Sequence, residues 1–250
     1  MATKAKDKAG LPAVAGAPQL PASIRDALAA ETAGLAERIK APTGNKIKLT
    51  KKKTFKLPNG MESEGPLTVV VVDFVNANVF HDRPYKEGEY FPPACFAAGI
   101  EVNDKLTPSK NSPDRQNESC NKCPNNEFGS KGDGKACKNI RRLAVIAGSG
   151  EDALNPDSDM WILEISPTGG KAWDAYVSMV RTQFNMPPVG VITDVFFDPE
   201  SEYQSLRFKP AQANPNLELH FGRKAAAREL LLAEPDVSGW EKPGGKKAKK

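Results

Sequence analysis

Leu67-Thr68-Val69-Val70-Val71-Val72-Asp73-Phe74-Val75-Asn76-Ala77-Asn78-Val79-Phe80 is the most strand-like stretch of this 250-residue chain. Six valines and two phenylalanines in fourteen positions are too β-branched and aromatic for a helix, so the segment reads as one long strand. Its apolar run, 67–75, is broken by Thr68 and Asp73. That is far short of the roughly 20 apolar residues a bilayer-spanning helix needs. The stretch is therefore expected at the centre of a folded domain.

Upstream, Ile47, Leu49, Phe55 and Leu57 place a short strand on each side of Lys51-Lys52-Lys53, and Pro58-Asn59-Gly60 is a turn. Downstream, strands are expected at 143–147, 161–165, 189–197 and 203–208. A helix over 171–184 places Trp173, Tyr176, Val177 and Val180 on its inner face. An Ala- and Leu-rich segment, 224–234, reads as a final helix. Near the start, Ser23 caps a thin amphipathic helix over 23–40, with Ile24, Leu28, Leu35 and Ile39 on one stripe, ended by Pro42 and Gly44. Residues 1–22 have no periodicity and read as disordered, and the lysines at 4, 6 and 8 are followed by no apolar segment of a secretory leader.

Short strands, few helices and one long polar insertion give a β-rich α+β class. An OB-like small barrel with flanking helices is the expected architecture, because such barrels accept long inserts between strands. The chain then divides into 1–45 (tail and amphipathic helix), 46–222 (the OB-like core, with an insertion at about 92–142) and 223–250 (helix and basic tail).

Charge is unevenly distributed. Residues 1–60 carry twelve basic and four acidic groups, and 223–250 carry eight and four, while the middle is acidic. Within that middle, 105–142 reverses sign, with nine basic groups against four acids. Basic ends and a basic insert around an acidic body suit a polyanionic partner.

All four cysteines, Cys95, Cys120, Cys123 and Cys137, lie in or beside that insert, spaced C-x24-C-x2-C-x13-C. Without an export signal, disulfides are not expected. Two thiols three positions apart in Cys120-Asn121-Lys122-Cys123, followed by Pro124, suit a turn that turns both toward one ion. Four thiolates match a tetrahedral structural zinc site. Such a metal would order a long polar loop that holds no shape unaided. An iron–sulfur cluster is the alternative cofactor, although the spacing fits no common ferredoxin pattern. His81 and His220 are substitute ligands.

Gly129-Ser130-Lys131-Gly132-Asp133-Gly134-Lys135-Ala136 resembles a phosphate-binding loop but ends in Ala136 where a magnesium-holding hydroxyl belongs, so nucleotide hydrolysis is set aside. Nucleophile, base and glycine elbow are not assembled anywhere, and no catalytic residues are assigned: the chain reads as a binding protein and not an enzyme. Aromatic residues do alternate with cations, as single-stranded nucleic acid requires. Tyr85, Tyr90, Phe91 and Phe128 are the stacking candidates. Lys122, Lys131, Lys135, Lys138, Arg141 and Arg142 are the phosphate candidates. Tyr203 and Phe208 bracket Arg207, while Phe74, Trp161, Trp173 and Phe196 are expected in the core.

Three segments, Pro92-Pro93-Ala94-Cys95-Phe96-Ala97, the run from Cys120 to Ser130 and the run from Gly134 to Leu143, resemble a family of bacteriophage proteins. So do Ile165-Ser166-Pro167-Thr168, Lys171-Ala172-Trp173 and Tyr176-Val177. The likeness covers about 65–210, with the cysteine segment as its specific part. It implies a protein of a phage replication or recombination module, acting in the host cytoplasm and binding single-stranded DNA. The lysine-rich end departs from the acidic tail with which many such binding proteins recruit partners. A second function is carried beside the first: a protein-interaction factor docking on a phage or host replication or transcription enzyme. A membrane partner is not expected.

Overall fold

The computed structural model describes residue 24, residues 44–84 and residues 91–242. The helix expected over 23–40, apart from Ile24, and the stacking candidates Tyr85 and Tyr90 lie outside the described residues.

Nine strands form one mixed sheet that curls into a half-barrel, with few helices against it. They are β1 (Lys46–Leu49), β2 (Phe55–Lys56), β3 (Glu62–Ser63), β4 (Leu67–Phe80), β5 (Cys95–Gly99), β6 (Lys138–Ala147), β7 (Trp161–Ile165), β8 (Val191–Phe197) and β9 (Leu206–Ala213). The helices are α1 (Gly170–Phe184), α2 (Leu217–Gly222) and α3 (Lys224–Leu232). The order across the sheet is β3-β2-β1-β7-β6-β4-β8-β9, with β5 on β4 as well. Only the β1–β7 pair is parallel among the named pairings.

β4 organises the whole. One edge pairs with β6 from Val69 to Val79. The other edge is shared: Leu67 to Val70 pair with β8, and Asn76 to Phe80 pair with β5. The valine run allows this, since it buries both faces. Val69 and Val71 pack with Leu143, Val145, Leu163 and Ile165 against Trp173, Tyr176 and Val180 of α1. Val70 and Val72 pack with Ala144 and Ile146 against Ala227 and Leu231 of α3.

α1 presents Trp173, Tyr176 and Val180 at helical spacing, all buried, as expected. Phe74 and Phe208 meet the Trp173 ring edge-on, at 5.2 and 5.1 Å between centroids. Asn185, in the left-handed conformation, closes α1, and Pro187-Pro188 bar its continuation.

Several boundaries differ from the sequence reading. The strand expected at 203–208 runs from Leu206 to Ala213. Pro210 is tolerated there because β9 is an edge strand beside a register shift. Residues 188–190 form a 3-10 turn before β8. β6 begins five residues earlier than read, at Lys138. The strands β3 and β5 and the short helix α2 are additional to the elements expected from the sequence.

Candidate functional site

The segment between β5 and β6 folds over the end of the sheet. Cys120–Lys122 and Pro124–Asn126 form consecutive 3-10 turns, the first closed by Cys123 N–H donating to Cys120 O at 3.5 Å. Cys137 N–H donates to Asn125 O at 2.7 Å, which returns the chain to the turns immediately before β6. Between them, Lys131 and Gly134 bridge across a tight hairpin, with Gly129 and Gly132 at positive φ where a side chain would be strained. The glycines that resemble a phosphate loop therefore shape a hairpin.

All four cysteines are buried and free. Cys95 comes from the start of β5, Cys120 and Cys123 from the turns, and Cys137 from the entry to β6. The four line one cavity of about 10 Å³ with Asn78 and Asn126, close to the space one water molecule needs. Burial, reinforced by the neighbouring cysteines, pushes the Cys137 thiol up to about 12. Burial raises Cys120 too, against an opposing hydrogen bond from Asn78. Among the described residues, no set of three or more His, Cys, Asp or Glu side chains is placed as a metal ligand group.

An asparagine network ties the turns to the sheet. Asn78 Nδ2 donates to Asn103 O at 2.8 Å, and Asn78 Oδ1 accepts from Asn103 and Asn139 at 2.8 and 2.6 Å. Asn139 also donates to Asn126 Oδ1 at 2.9 Å, and Asn126 donates to Cys120 O at 2.9 Å. Asn78, Asn103 and Asn126 are buried, where amides without partners would be costly. The sequence reading had no place for these residues. The available signal was asparagine, a poor strand former, at alternate positions near the end of an otherwise apolar strand.

The nucleic-acid candidates fall into two groups. Lys122, Lys131 and Lys138 are exposed, and Phe128, 78% exposed, stands out from the cysteine segment. The other candidates among the described residues are engaged within the protein. Lys135 lies 3.8 Å from Asp104. Arg141 binds Asn103 Oδ1 and lies 3.2 Å from Asp174 of α1. Arg142, facing the opposite side, donates to the carbonyls of Leu231 and Ala233 at 3.3 and 3.4 Å and pairs with Glu164 at 3.4 Å. Phe91 is half-buried under the Arg83 guanidinium, 5.6 Å from its ring centroid.

Comparison with protein-family models, curated proteins and solved structures gives no match.

Of the substitute ligands, His220 is committed elsewhere. It is buried, with Nδ1 facing the Asn214 amide at 3.0 Å and Nε2 3.0 Å from Ala153 O. His81 directly follows Phe80, the register partner of Cys95. Burial, with Lys138 nearby, lowers its pKa. Among the described residues, no helix is long and apolar enough to cross a membrane.

Proposed function

We propose that the chain is a single-stranded DNA-binding protein of a phage replication or recombination module, acting in the host cytoplasm without catalysis of its own. The observation that carries this reading is the polar segment between β5 and β6, folded over four buried cysteines and exposing Phe128 together with Lys122 and Lys131. An exposed ring next to ammonium groups is what unpaired bases and their phosphates require. The curled half-barrel is consistent with an OB-like body.

In this reading Cys95, Cys120, Cys123 and Cys137 hold one zinc ion. The cavity they share is of single-atom scale, and three separate parts of the chain contribute donors to it. The ion would supply rigidity and no open coordination position for chemistry. Lys122, Lys131 and Lys138 would meet phosphates, with Phe128 stacking on a base. Lys135 lies near Asp104, and both arginines are held by internal partners, so in this reading Arg141 acts by fixing the segment to the sheet through Asn103 and Arg142 by holding the end of α3 against it.

A salt titration of oligo-dT binding tests the proposal. On a single strand, log K falls by about 0.7 per decade of salt for each phosphate neutralised. The double substitution Lys122→Ala/Lys131→Ala is expected to reduce the slope by about 1.4, one increment per lysine. An unchanged slope would remove these lysines from the interface, and failure of the native chain to bind oligo-dT would remove the function.

A further inference from the structure

We infer that a second nucleic-acid subsite lies away from the cysteine segment, in the cleft over β1, β7 and the start of β6. This inference rests on the single-strand-binding reading above. The cleft, about 690 Å³, is lined by Lys46 and Lys48 of β1, Lys138 and Ile140 of β6, Thr168 and Tyr203. Its one carboxylate, Glu164, is already matched by Lys46 at 2.6 Å and Arg142 at 3.4 Å. Lys48 and Lys138 are exposed and have no ion-pair partner among the described residues. The cleft is thus apolar along Leu49 and Ile140 and positive above them.

Tyr203 gives the cleft its specificity. Its side chain is 69% exposed, yet its loop is held in place. The Lys53 ammonium, from the β1–β2 turn, donates to Ser201 O at 2.7 Å and Asp198 O at 3.3 Å. Asp198 in turn pairs with Arg207 at 2.7 Å. A solvent-facing ring on an anchored loop, beside unpaired ammonium groups, suits an unpaired base with flanking phosphates. An acidic peptide would satisfy the lysines and leave the ring unused. Lys138 lies at the junction of the cleft and the cysteine segment, so one strand would run from Phe128 past Lys138 to Tyr203.

The test is anisotropy of labelled oligo-dT with the full chain, together with photocrosslinking of a bromodeoxyuridine-substituted oligonucleotide. Tyr203→Ala is expected to weaken binding roughly 5- to 150-fold, the range that loss of one stacked base produces. Tyr203→Phe keeps the ring and is expected to bind as the native chain does, and adducts are expected on the peptide carrying Tyr203. Native affinity in Tyr203→Ala, with adducts confined to the peptide carrying Phe128, overturns the cleft and leaves the cysteine-segment reading standing. Equal losses in both Tyr203 variants overturn the stacking role. No oligo-dT binding by the native chain, or binding of polyglutamate in its place, overturns both readings.

Discussion

Asp73 Oδ2 accepts two hydrogen bonds from one guanidinium, Arg228 Nε at 3.2 Å and Nη2 at 2.9 Å. The pairing depends on an irregularity in β4. Val70 and Val71 pair with Ile146 and Val145, but Asp73 and Phe74 pair with Ala144 and Leu143, leaving Val72 as an extra residue. Side chains alternate strictly along a strand, so if Val72 were paired in regular register with Ala144, Asp73 would point into the core under α1 and Phe74 away from it. The bulge turns the carboxylate toward α3, where Arg228 and Lys224 meet it.

Arg228→Ala is therefore expected to cost about 1–3 kcal/mol, because it leaves a buried carboxylate with a weaker partner. Urea unfolding at neutral pH measures this. Deleting Val72 has a different predicted consequence: Asp73 then follows Val71 in regular alternation and still faces α3 opposite Ala144, so the chain should keep a cooperative transition, less stable by the lost burial of one valine, about 1.5–3 kcal/mol. A deletion variant that gives no cooperative transition would show that Asp73 does not keep its place opposite Ala144.

Asn78 is the hub joining β4 to the cysteine turns. Asn78→Ala leaves the amides of Asn103 and Asn139 without their shared acceptor and is expected to cost about 2 kcal/mol. Hydrogen exchange should quicken over 103–139 before it does so in β8. Uniform exchange changes along the chain would refute this local coupling.

Burial lowers the His220 pKa below its ordinary value of 6.5. The unfolded chain then binds more protons than the folded one between the lowered value and 6.5. Stability from this residue is full above pH 6.5, declines as pH falls below it, and levels off once the folded pKa has been passed. His220→Gln should flatten that part of a stability-against-pH curve. A variant curve parallel to the native one between pH 7 and 5 would place the dependence on other groups.

If the four cysteines hold zinc, the purified chain should carry one ion, and Cys123→Ser should lose it. Because the Cys137 thiol is pushed up to about 12, it is protonated at neutral pH in the absence of metal, so adding zinc should release protons and affinity should rise with pH. Metal analysis, a dye-monitored proton count and thermal melts with and without chelator check this. A metal-free chain with an unchanged melting temperature would reject the assignment.

The central strand was legible at both ends, from Leu67 to Phe80, because valine density alone specifies a buried strand there. The inner face of α1 was equally plain from its spacing. β5 was not, since Cys95-Phe96-Ala97-Ala98-Gly99 has no β-branched residue and follows two prolines. It is a strand because the end of β4 offers it an unpaired edge. The strand read at 203–208 misled for a related reason: the polar run Lys209-Pro210-Ala211-Gln212 carries no strand signal, and only pairing with β8 makes it one.

For the site, the cysteine spacing marked four residues that the fold brings around one cavity, and nothing in it foretold the asparagines that seat them. Neither could spacing distinguish Lys131, exposed on a hairpin, from Arg141 and Arg142, which the sheet directs to opposite faces and into internal partners. Local composition determined where the long strand, the main helix and the cysteine segment lie, because propensity and periodicity act over neighbouring residues. Tertiary structure alone decided which charges remain free for a ligand and that Lys48, Lys138 and Tyr203 share one cleft, because those choices depend on pairings between residues far apart in the chain.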